Sequence, residues 1–557
     1  MDPRPTLRRD ALTAILLALV LGAVWTWRDW ADLSALRLPD TDDVVRLQQV
    51  RDWLAGQPFA DLSQHRLAGG LPMHWSRLPD LVPAALVVVL TPLLDGQGAA
   101  VAAVIVWPVA LFAMALSLIA RIARALGTDG ATAAAVAAIA YPATTLFLPG
   151  RIDHHGLQVV LLLGAVLAQL RAGSVRTGGA AGLLAAASLT IGLETMPLFA
   201  ALGAVALAQW IADGRGAAPR LLGMGAGAIV ALVVARAVFA TDAWDYPACD
   251  GFTGQAWRAA TVLAVVPVGL GLLDPSGRRH RAVVAAVAGA VAGGIAVAVS
   301  PGCLSPYGGV DPLLARLWLA QVGEAQGLFA APPATAIGYA GVMLVGLGCG
   351  VWQWRATRHR GWATLVVCQL AALVVTVDAL RGAYAGALLA APALAAAIGG
   401  ERARGTVRLA GAWLLSAGML WPLAATAVTP VRPVPAAARG DCASEAMIAA
   451  LRRLPAGTVM APVDAGAYLL AGTRQRLIAA PYHRNDAGNR AAYRFYLGGE
   501  AQAAAVAGAW HVDYALSCAA MPGPARARPL PGWRVLATLP DGANIFAPGL
   551  SQPPPRR

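Results

Sequence analysis

Long apolar blocks alternate with short polar loops along almost the whole sequence. The blocks hold roughly 15 to 22 residues, enough for a helix to cross the hydrocarbon layer of a membrane. Leu81–Leu94 is shorter and contains Pro83 and Pro92, so we interpret it as an interfacial or re-entrant segment. The remaining blocks predict an all-α polytopic membrane bundle of thirteen transmembrane helices, at 11–27, 100–120, 130–148, 157–171, 179–193, 196–212, 220–240, 259–273, 281–299, 335–352, 362–380, 383–399 and 408–428.

Arginines test the direction of each crossing, because cytoplasmic loops carry an excess of them. With a cytoplasmic N-terminus, six groups fall on the cytoplasmic side: Arg121 and Arg124; Arg171 and Arg176; Arg215 and Arg220; Arg278, Arg279 and Arg281; Arg355, Arg358 and Arg360; Arg402 and Arg404. The first apolar run follows Arg4, Arg8 and Arg9 and has no small-residue cleavage site after it, which favours a retained helix over a signal peptide. We therefore expect a protein of the bacterial inner membrane whose C-terminus faces the periplasm.

The outside segments define the domain organisation. A transmembrane domain over 1–430 carries two external loops, 28–80 and 300–334, and residues 431–557 predict a small α/β extracytoplasmic domain with a Pro/Arg-rich disordered end. Four cysteines fall outside, Cys249, Cys303, Cys442 and Cys518, and they allow three pairings. Pairing within each region favours Cys249–Cys303 and Cys442–Cys518, and free apolar cysteines are the alternative.

The composition supports a membrane protein and excludes one class of partner. The chain is 58% hydrophobic and only 13% charged, whereas soluble domains carry about a quarter of charged residues. The net charge of +13 comes mostly from arginines in short loops at helix ends. Because no RNA- or DNA-binding signature is present, we expect no nucleic-acid partner.

Two acidic clusters are the first candidates for chemistry. Asp42 and Asp43 open the long first loop, and neighbouring carboxylates suit a hard divalent metal ion. The alternative is an acidic turn that caps the helix at Val44–Ala55. Asp153 and His155, which follow a predicted membrane boundary, can reach one ion as a mixed carboxylate and imidazole site. An N-cap aspartate with interfacial histidines is the alternative there.

Three further candidates lie at outer helix ends, where ionisable groups mark function by default. Glu324 lies in the loop before the tenth helix. Arg381, with Tyr384 close behind it, ends an apolar hairpin and could hold a phosphate bidentately or extend to the interface. Glu194 stands between the fifth and sixth helices, with a structural role as its alternative. Carboxylates and an arginine on one outer face fit metal-assisted departure of a phosphate leaving group.

Five segments, in this order, resemble the catalytic subunit of oligosaccharyltransferases, members of the GT-C membrane glycosyltransferases. Asp42–Gly56 resembles their first external-loop motif, an aspartate followed by a helix. Asp153–Gly156 resembles their second acidic motif, Val322–Gln326 their Ser-Val-Ser-Glu-x-Gln loop, and Ala379–Pro392 their Leu-Arg-Phe helix. Val459–Gly466 stands in the place of their Trp-Trp-Asp-Tyr-Gly signature. The likeness covers nearly the whole chain and implies a GT-C-like bundle of about thirteen helices.

The resemblance also implies roles for these residues. Asp42, Asp153 and His155 would hold Mg²⁺ or Mn²⁺, and Arg381 would bind the donor phosphates. Asp42 or Glu324 would activate the acceptor. The implied reaction is the inverting transfer of a sugar or oligosaccharide from a polyprenyl phosphate or pyrophosphate, lying in the lipid bilayer, to an extracytoplasmic glycan, lipid or protein.

This sequence departs from the family at two places. His155 replaces an acid, so the metal site carries less negative charge. Pro462 and Val463 replace the two tryptophans that help to read an Asn-x-Ser/Thr acceptor, which disfavours protein N-glycosylation. Other residues predicted to contact the substrates are Asp43, His154, Glu194, Tyr384, His74, Arg77, Asp464, His483 and Arg484.

Two rival functions are left open. A related enzyme would move a single sugar from a polyprenyl monophosphate onto lipid A, a polysaccharide or a protein hydroxyl. A transporter or flippase would use intramembrane charges to gate a path. The charges here lie at outer loop ends and no inverted repeat is visible, which disfavours transport.

Overall fold

A computed structural model describes residues 4–273, 275–305, 309–428, 442–518 and 530–549. The Pro/Arg-rich end lies outside the described residues. The α-helices are α1 Arg4–Arg28, α2 Trp30–Ser34, α3 Thr41–Leu54, α4 Leu81–Ala125, α5 Gly130–Ala137, α6 His155–Leu170, α7 Val175–Ile191, α8 Met196–Asp213, α9 Ala218–Phe239, α10 Gly254–Leu272, α11 Arg278–Val299, α12 Pro312–Leu317, α13 Pro333–Thr357, α14 Arg360–Asp378, α15 Gly382–Glu401, α16 Thr406–Ser416, α17 Leu420–Val428, α18 Glu445–Arg453, α19 Gly466–Gly472, α20 Asp486–Leu497 and α21 Glu500–Ala509.

The chain divides into two compact units. The helical unit consists of Met1–Leu36, His74–Pro306 and Ala320–Val431. The mixed unit consists of Arg37–Met73, Tyr307–Leu319 and Arg432–Arg557. Part of the predicted first external loop therefore belongs to the same unit as the C-terminal tail.

The helical unit has the architecture of a multi-pass membrane protein. Among the described residues, nine helices are long and apolar enough to cross a membrane, and the bent pair α16 and α17 would make ten. The predicted number of thirteen is not confirmed. Two of the other three predicted spans are the shorter apolar helices α6 and α7, and the third, 130–148, is not one helix.

The predicted single helix over 130–148 is wrong because its sequence interrupts the helix. Helix α5 ends at Ala137, and a 3₁₀ helix follows at Ala143–Phe147. Pro142 lies between them and has no N–H to donate, while its ring also disfavours helical geometry at the residue before it.

The predicted helix over 408–428 is also not continuous, and its bend packs against the segment between α5 and the 3₁₀ helix. Helices α16 and α17 meet at 88°. At the bend, Gly418 packs so closely that an added Cβ would lie 2.6 Å from the backbone N of Tyr141. The Met419 N–H donates to the Ile139 carbonyl at 3.1 Å. The two interrupted segments therefore satisfy each other's backbone groups.

The block Leu81–Leu94 forms the first part of α4. The helix is interrupted at Asp95, whose φ of 59° and ψ of 176° are not helical. The Asp95 carboxylate accepts from the Gly98 N–H at 2.7 Å, so it caps the second part of the helix. The second part contains the predicted helix at 100–120 and continues to Ala125.

The mixed unit contains a five-stranded sheet formed by the tail, for which the sequence predicts a small α/β domain. The strands are β1 Ser63–Gln64, β2 Leu71–Pro72, β3 Thr458–Met460, β4 Arg476–Leu477, β5 Tyr514–Ser517, β6 Trp533–Thr538 and β7 Asn544–Pro548. The order in the sheet is β4-β3-β5-β7-β6, with β3 parallel to both its neighbours and the other pairs antiparallel. Strands β1 and β2 form a separate antiparallel pair.

Residues 37–73 are bonded to the tail within this unit. The Leu477 N–H donates to the Arg66 carbonyl at 2.7 Å, and the Ala68 N–H donates to the Leu477 carbonyl at 2.8 Å. The Tyr482 hydroxyl donates to the Thr41 carbonyl at 3.0 Å. The start of α3 is therefore held by the tail.

The two predicted disulfides are confirmed. Cys249 pairs with Cys303 in the helical unit, and Cys442 pairs with Cys518 in the mixed unit. Cys349 and Cys368 are free thiols. Each disulfide therefore joins two cysteines of the same region, which is the basis on which the sequence predicts the pairing.

Candidate metal centre

The segment before α6 brings three potential metal ligands together. Gly150 takes a φ of 92°, which favours glycine, and its N–H donates to the Val104 carbonyl at 2.8 Å. Asp153, His154 and His155 then lead into the first turn of α6. All three are buried, with relative exposures of 6%, 4% and 9%. A helix N-terminus favours negative charge, which supports a carboxylate at this position.

The ligand atoms of these three side chains lie within 4.8 Å of one another. His155 Nε2 is 3.4 Å from Asp153 Oδ2. His154 Nδ1 donates to the other carboxylate oxygen, Oδ1, at 2.6 Å. Carboxylate and imidazole together suit divalent ions such as Mn²⁺ and Zn²⁺, and carboxylate alone suits Mg²⁺. The residues present therefore fit a divalent metal.

Glu194 approaches the centre from the turn between α7 and α8. Its Oε1 lies 3.3 Å from His154 Nε2. Gln158, which is fully buried in α6, donates to Glu194 Oε2 at 2.9 Å and to the Gly192 carbonyl at 3.1 Å. The sequence prediction missed Gln158. Its signal was a glutamine one turn after His154, at the start of the apolar part of the helix.

Charge is concentrated between Asp153 and Glu194. Burial alone would lower the pKa of His154, but the neighbouring carboxylates of Asp153 and Glu194 raise it to about 10. Burial would raise the pKa of Glu194, yet the His154 imidazolium lowers it well below its usual range. The imidazolium is therefore held between two carboxylates.

Glu324 and Arg381 come from later segments of the same unit. Glu324 Oε1 lies 3.9 Å from His155 Nε2. The Arg381 N–H donates to the Glu324 carbonyl at 3.1 Å, and the Leu380 N–H donates to the Gln326 carbonyl at 2.8 Å. These backbone bonds hold the Glu324 loop against the start of α15.

A close helix contact fixes the position of Arg381. Gly382, the next residue, packs against α14 so tightly that a Cβ would lie 2.5 Å from the Thr376 N and 2.7 Å from the Ala372 carbonyl oxygen. Helix α15 is largely buried inside the helical unit. Arg381 therefore begins a helix that has little room to shift.

A small cavity joins the metal centre to Arg381. Its volume is about 30 Å³, sufficient for a water molecule or a single ion. The lining residues are Leu146, His155, Gln158, Val159, Glu194, Thr195, Leu198, Val375, Arg381, Gly382, Tyr384 and Ala385. An arginine beside a carboxylate and imidazole cluster can bind an anion next to a bound cation.

The acidic start of α3 lies in the mixed unit. Asp40 caps the helix, because its carboxylate accepts from the Asp42 N–H at 3.1 Å. Asp43 is fully buried, and Asp42 is partly exposed. The capping alternative therefore applies to Asp40, and the metal role predicted for Asp42 stays a prediction.

Two other predicted substrate contacts lie before α4, in the helical unit. Arg77 is fully buried and lies 3.5 Å from the equally buried Asp80 in an ion pair. The His74 ring lies beside Trp75, with 5.4 Å between ring centroids. A Cβ at Gly251 would lie 2.0 Å from the His74 carbonyl oxygen, so this segment packs tightly against the loop before α10.

The last three predicted substrate contacts belong to the tail. Arg484 is buried and donates to the Pro72 and Met73 carbonyls at 3.3 and 3.0 Å. His483 precedes it in a 3₁₀ turn and is partly exposed. Asp464 is exposed in the turn before α19, and local desolvation raises the pKa of its carboxyl. Their substrate roles stay predictions, as does that of Tyr384 in the cavity wall.

Solved structures of an archaeal enzyme share this architecture. No protein-family model and no curated protein matches the sequence. The apo oligosaccharyltransferase of Archaeoglobus fulgidus matches at 14% identity and a TM-score of 0.69, over 92% of this chain and 69% of that one. Its complex with an inhibitory peptide and a dolichol-phosphate matches at 14% identity and 0.65, over 90% and 69%.

A third structure of that enzyme, in complex with Zn and sulfate, matches at 15% identity and a TM-score of 0.59, over 90% of this chain and 67% of that one. At these identities the matches establish the fold. They agree with the resemblance carried by the five sequence motifs, and the chain therefore has the fold of these oligosaccharyltransferase structures.

Proposed function

We propose that this protein is a metal-dependent membrane glycosyltransferase. It transfers a sugar or oligosaccharide, with inversion, from a polyprenyl phosphate or pyrophosphate to an extracytoplasmic acceptor. The observation that carries the proposal is the cavity that joins His155 and Glu194 to Arg381, with Asp153 and Glu324 beside it. A cation site next to an anion site is what departure of a phosphate requires.

The metal ligands would be Asp153 and His155, with Asp42 added by the resemblance to oligosaccharyltransferases. When bound, Mg²⁺ or Mn²⁺ would neutralise charge on the leaving phosphate. The presence of Zn and sulfate in one Archaeoglobus fulgidus structure supports a cation and an anion site in this fold. The imidazole nitrogen of His155, which stands where an acid is expected, favours the transition ion Mn²⁺ over Mg²⁺, because Mg²⁺ prefers oxygen ligands.

Arg381 would bind the donor phosphate. Its planar guanidinium can form two parallel hydrogen bonds to phosphate oxygens, which a lysine cannot reproduce. Backbone bonds to the Glu324 loop and the close packing of Gly382 hold this arginine in place before the donor arrives. The Archaeoglobus fulgidus enzyme has been solved with a dolichol-phosphate, which supports a lipid-linked donor for this chain.

Glu324 or Asp42 would activate the acceptor. The acceptor hydroxyl or amide attacks the anomeric carbon, its proton passes to the carboxylate, and the bond from that carbon to the phosphate oxygen breaks. Attack from the side opposite the phosphate inverts the anomeric centre. Glu324 suits this role because its side chain is about one-third exposed, at 32%, beside the largely buried His155.

The acceptor is an extracytoplasmic glycan, lipid or protein. The Archaeoglobus fulgidus enzyme has been solved with an acceptor peptide that contains an NVT sequon. In this chain Pro462 and Val463 stand where the two tryptophans of the family signature are expected. This difference supports an acceptor other than the Asn-x-Ser/Thr peptide.

Deletion of the gene tests the proposal even while the donor and acceptor are unidentified. Mass spectrometry should show loss of a surface glycan or glycoprotein and accumulation of its lipid-linked precursor. The wild-type gene should restore the product, and an equally expressed Asp153→Asn variant should not. The mass of the precursor separates a monophosphate from a pyrophosphate donor, and an unchanged glycan profile contradicts the proposal.

Purified protein then separates transfer from transport. The protein is incubated with the accumulated lipid precursor, acceptor-containing membrane extract and Mn²⁺. If it is a transferase, it releases the polyprenyl phosphate or pyrophosphate. Movement of the intact lipid across a vesicle membrane without such release would instead support the flippase alternative.

A further inference from the structure

A chain of hydrogen bonds leads away from the metal centre through the interior of the helical unit. It runs from Asp153 to His154, Glu194 and Gln158, and we call these four residues the buried chain. The three contacts measure 2.6, 3.3 and 2.9 Å in that order. Its end is fixed to the backbone, since Gln158 also donates to the Gly192 carbonyl at 3.1 Å.

The two adjacent histidines have different surroundings. Both ring nitrogens of His154 face carboxylate oxygens, Nδ1 that of Asp153 and Nε2 that of Glu194. His155 Nε2 also faces carboxylate oxygens, but it lies 3.4 Å from Asp153 Oδ2 and 3.9 Å from Glu324 Oε1, and both distances are longer than a typical N–H···O hydrogen bond of about 2.7 to 3.2 Å. A ring nitrogen that donates a proton to a carboxylate has no lone pair to offer a metal ion. Proximity alone therefore does not make both histidines ligands.

We infer that His154 is a positioning residue and that His155 supplies the imidazole ligand. His154 holds Asp153 Oδ1 so that Oδ2 stays directed towards His155, and Glu194 fixes the ring orientation of His154. This inference rests on the proposed metal-dependent function. It separates the residues that would bind the metal from the residues that would position them. Hydrogen-bond partners of metal ligands commonly set ligand orientation and metal affinity.

Gly192 supports the same arrangement. A Cβ added there would lie 2.3 Å from Glu194 Oε2. Its backbone is extended, with a φ of 179°, so the requirement is space and not conformational freedom. Gly192→Ala therefore displaces the Glu194 carboxylate while every charged group of the buried chain is retained.

Mn²⁺ binding to the purified full-length protein tests the assignment without any turnover. Electron paramagnetic resonance titration gives the affinity, and pulsed measurements report nitrogen atoms bound to the ion. The wild type should show one coordinated imidazole nitrogen. His155→Ala should abolish this nitrogen signal, whereas His154→Ala should keep it and weaken binding by about 10- to 100-fold.

Conservative variants separate positioning from general damage to the fold. In His154→Asn the side-chain amide can donate near the position of Nδ1, so we expect affinity within about threefold to tenfold of wild type, well above that of His154→Ala. Gly192→Ala should weaken Mn²⁺ binding in the same direction with the nitrogen signal unchanged. These two variants remain informative if His154→Ala fails to fold.

Three results would overturn the inference, and they differ in whether they also contradict the proposed function. Two coordinated nitrogens in the wild type, or loss of the signal in a folded His154 variant, would make His154 a ligand and leave the proposed function intact. Failure of the wild-type protein to bind Mn²⁺ at all would contradict both the inference and the metal-dependent mechanism.

Discussion

Helices α6 and α3 both begin at clusters of ionisable residues, but the two helix starts use these residues differently. At α6, the side chains of Asp153, His154 and His155 cluster, and carboxylates from two other segments approach them. At α3, Asp40 is used to cap the helix, and Asp43 is fully buried. Acidic residues at a helix start therefore do not by themselves distinguish a metal site from an N-cap. The distinction depends on whether side chains from distant segments approach them.

The two helix starts also depend on different parts of the chain. The α6 centre is supported by the turn at Gly192–Glu194 and by the Glu324 loop, all within the helical unit. The start of α3 is supported by the tail, through the hydrogen bond from Tyr482 to Thr41. Substitutions in the tail should therefore affect Asp42 without changing the geometry around Asp153.

The largest difference is expected between Asp153→Asn and Asp40→Asn. Asp153→Asn removes a negative charge from the metal centre and should lower the transfer rate at least about 100-fold. Asparagine caps a helix as well as aspartate does, so Asp40→Asn should stay within about threefold of wild type. Initial rates with the isolated lipid donor measure both. Equal losses of transfer rate in the two variants would contradict the assignment of Asp153 to the metal centre and of Asp40 to an N-cap.

Arg381→Lys should have the next largest effect. Lysine keeps the charge but cannot form the two parallel hydrogen bonds of a guanidinium, so we expect a loss of roughly 10-fold in kcat/KM. The matched control is Arg360→Lys, because Arg360 is exposed and pairs with Asp213 at the opposite end of α14. Unchanged kcat/KM in Arg381→Lys would mean that Arg381 contributes only charge.

Many features of the helical unit and of its candidate site are predictable from the sequence, because they depend on residue type and order. Apolar blocks of span length gave most helices of the helical unit, and region membership gave both disulfides. The five motifs gave the fold, and the sequence also identified Asp153, His155, Glu324 and Arg381 as candidates. These features depend on residue type and order, which a single sequence displays.

The sequence did not reveal features that depend on contacts between distant segments. The bend at Gly418 packs against Ile139 and Tyr141 of another segment, so it is not visible in the hydropathy of its own block. Pro142, in contrast, is a local signal of interruption that the hydropathy of its block does not register. Gln158 was overlooked because its partners, Glu194 and Gly192, come from the far end of α7. The attachment of residues 37–73 to the tail joins segments about 400 positions apart; Arg66 and Leu470, for example, have a sequence separation of 404.

Loss of the Cys442–Cys518 bond should destabilise the mixed unit. The bond closes a separation of 76 residues, and removal of such a bond typically costs about 2 to 5 kcal/mol of unfolding free energy. Cys442→Ser with Cys518→Ser should therefore make the tail more sensitive to limited proteolysis. Cys249→Ser with Cys303→Ser is the matched control, because that bond lies in the helical unit. Equal tail sensitivity in both double variants would contradict a local effect.

The smallest expected effect comes from Tyr482→Phe, which removes only the hydroxyl that donates to the Thr41 carbonyl. Loss of one such bond costs about 0.5 to 1.5 kcal/mol, so the protein should stay folded while the first turn of α3 exchanges its amide hydrogens faster. Tyr514→Phe is the control, since that hydroxyl donates to the Pro455 carbonyl at an exposed site. Hydrogen exchange measured by mass spectrometry distinguishes the two variants, and activity should fall only in Tyr482→Phe if Asp42 takes part in transfer. Faster exchange at α3 without any loss of activity would leave the α6 centre as the site of chemistry and remove Asp42 from it.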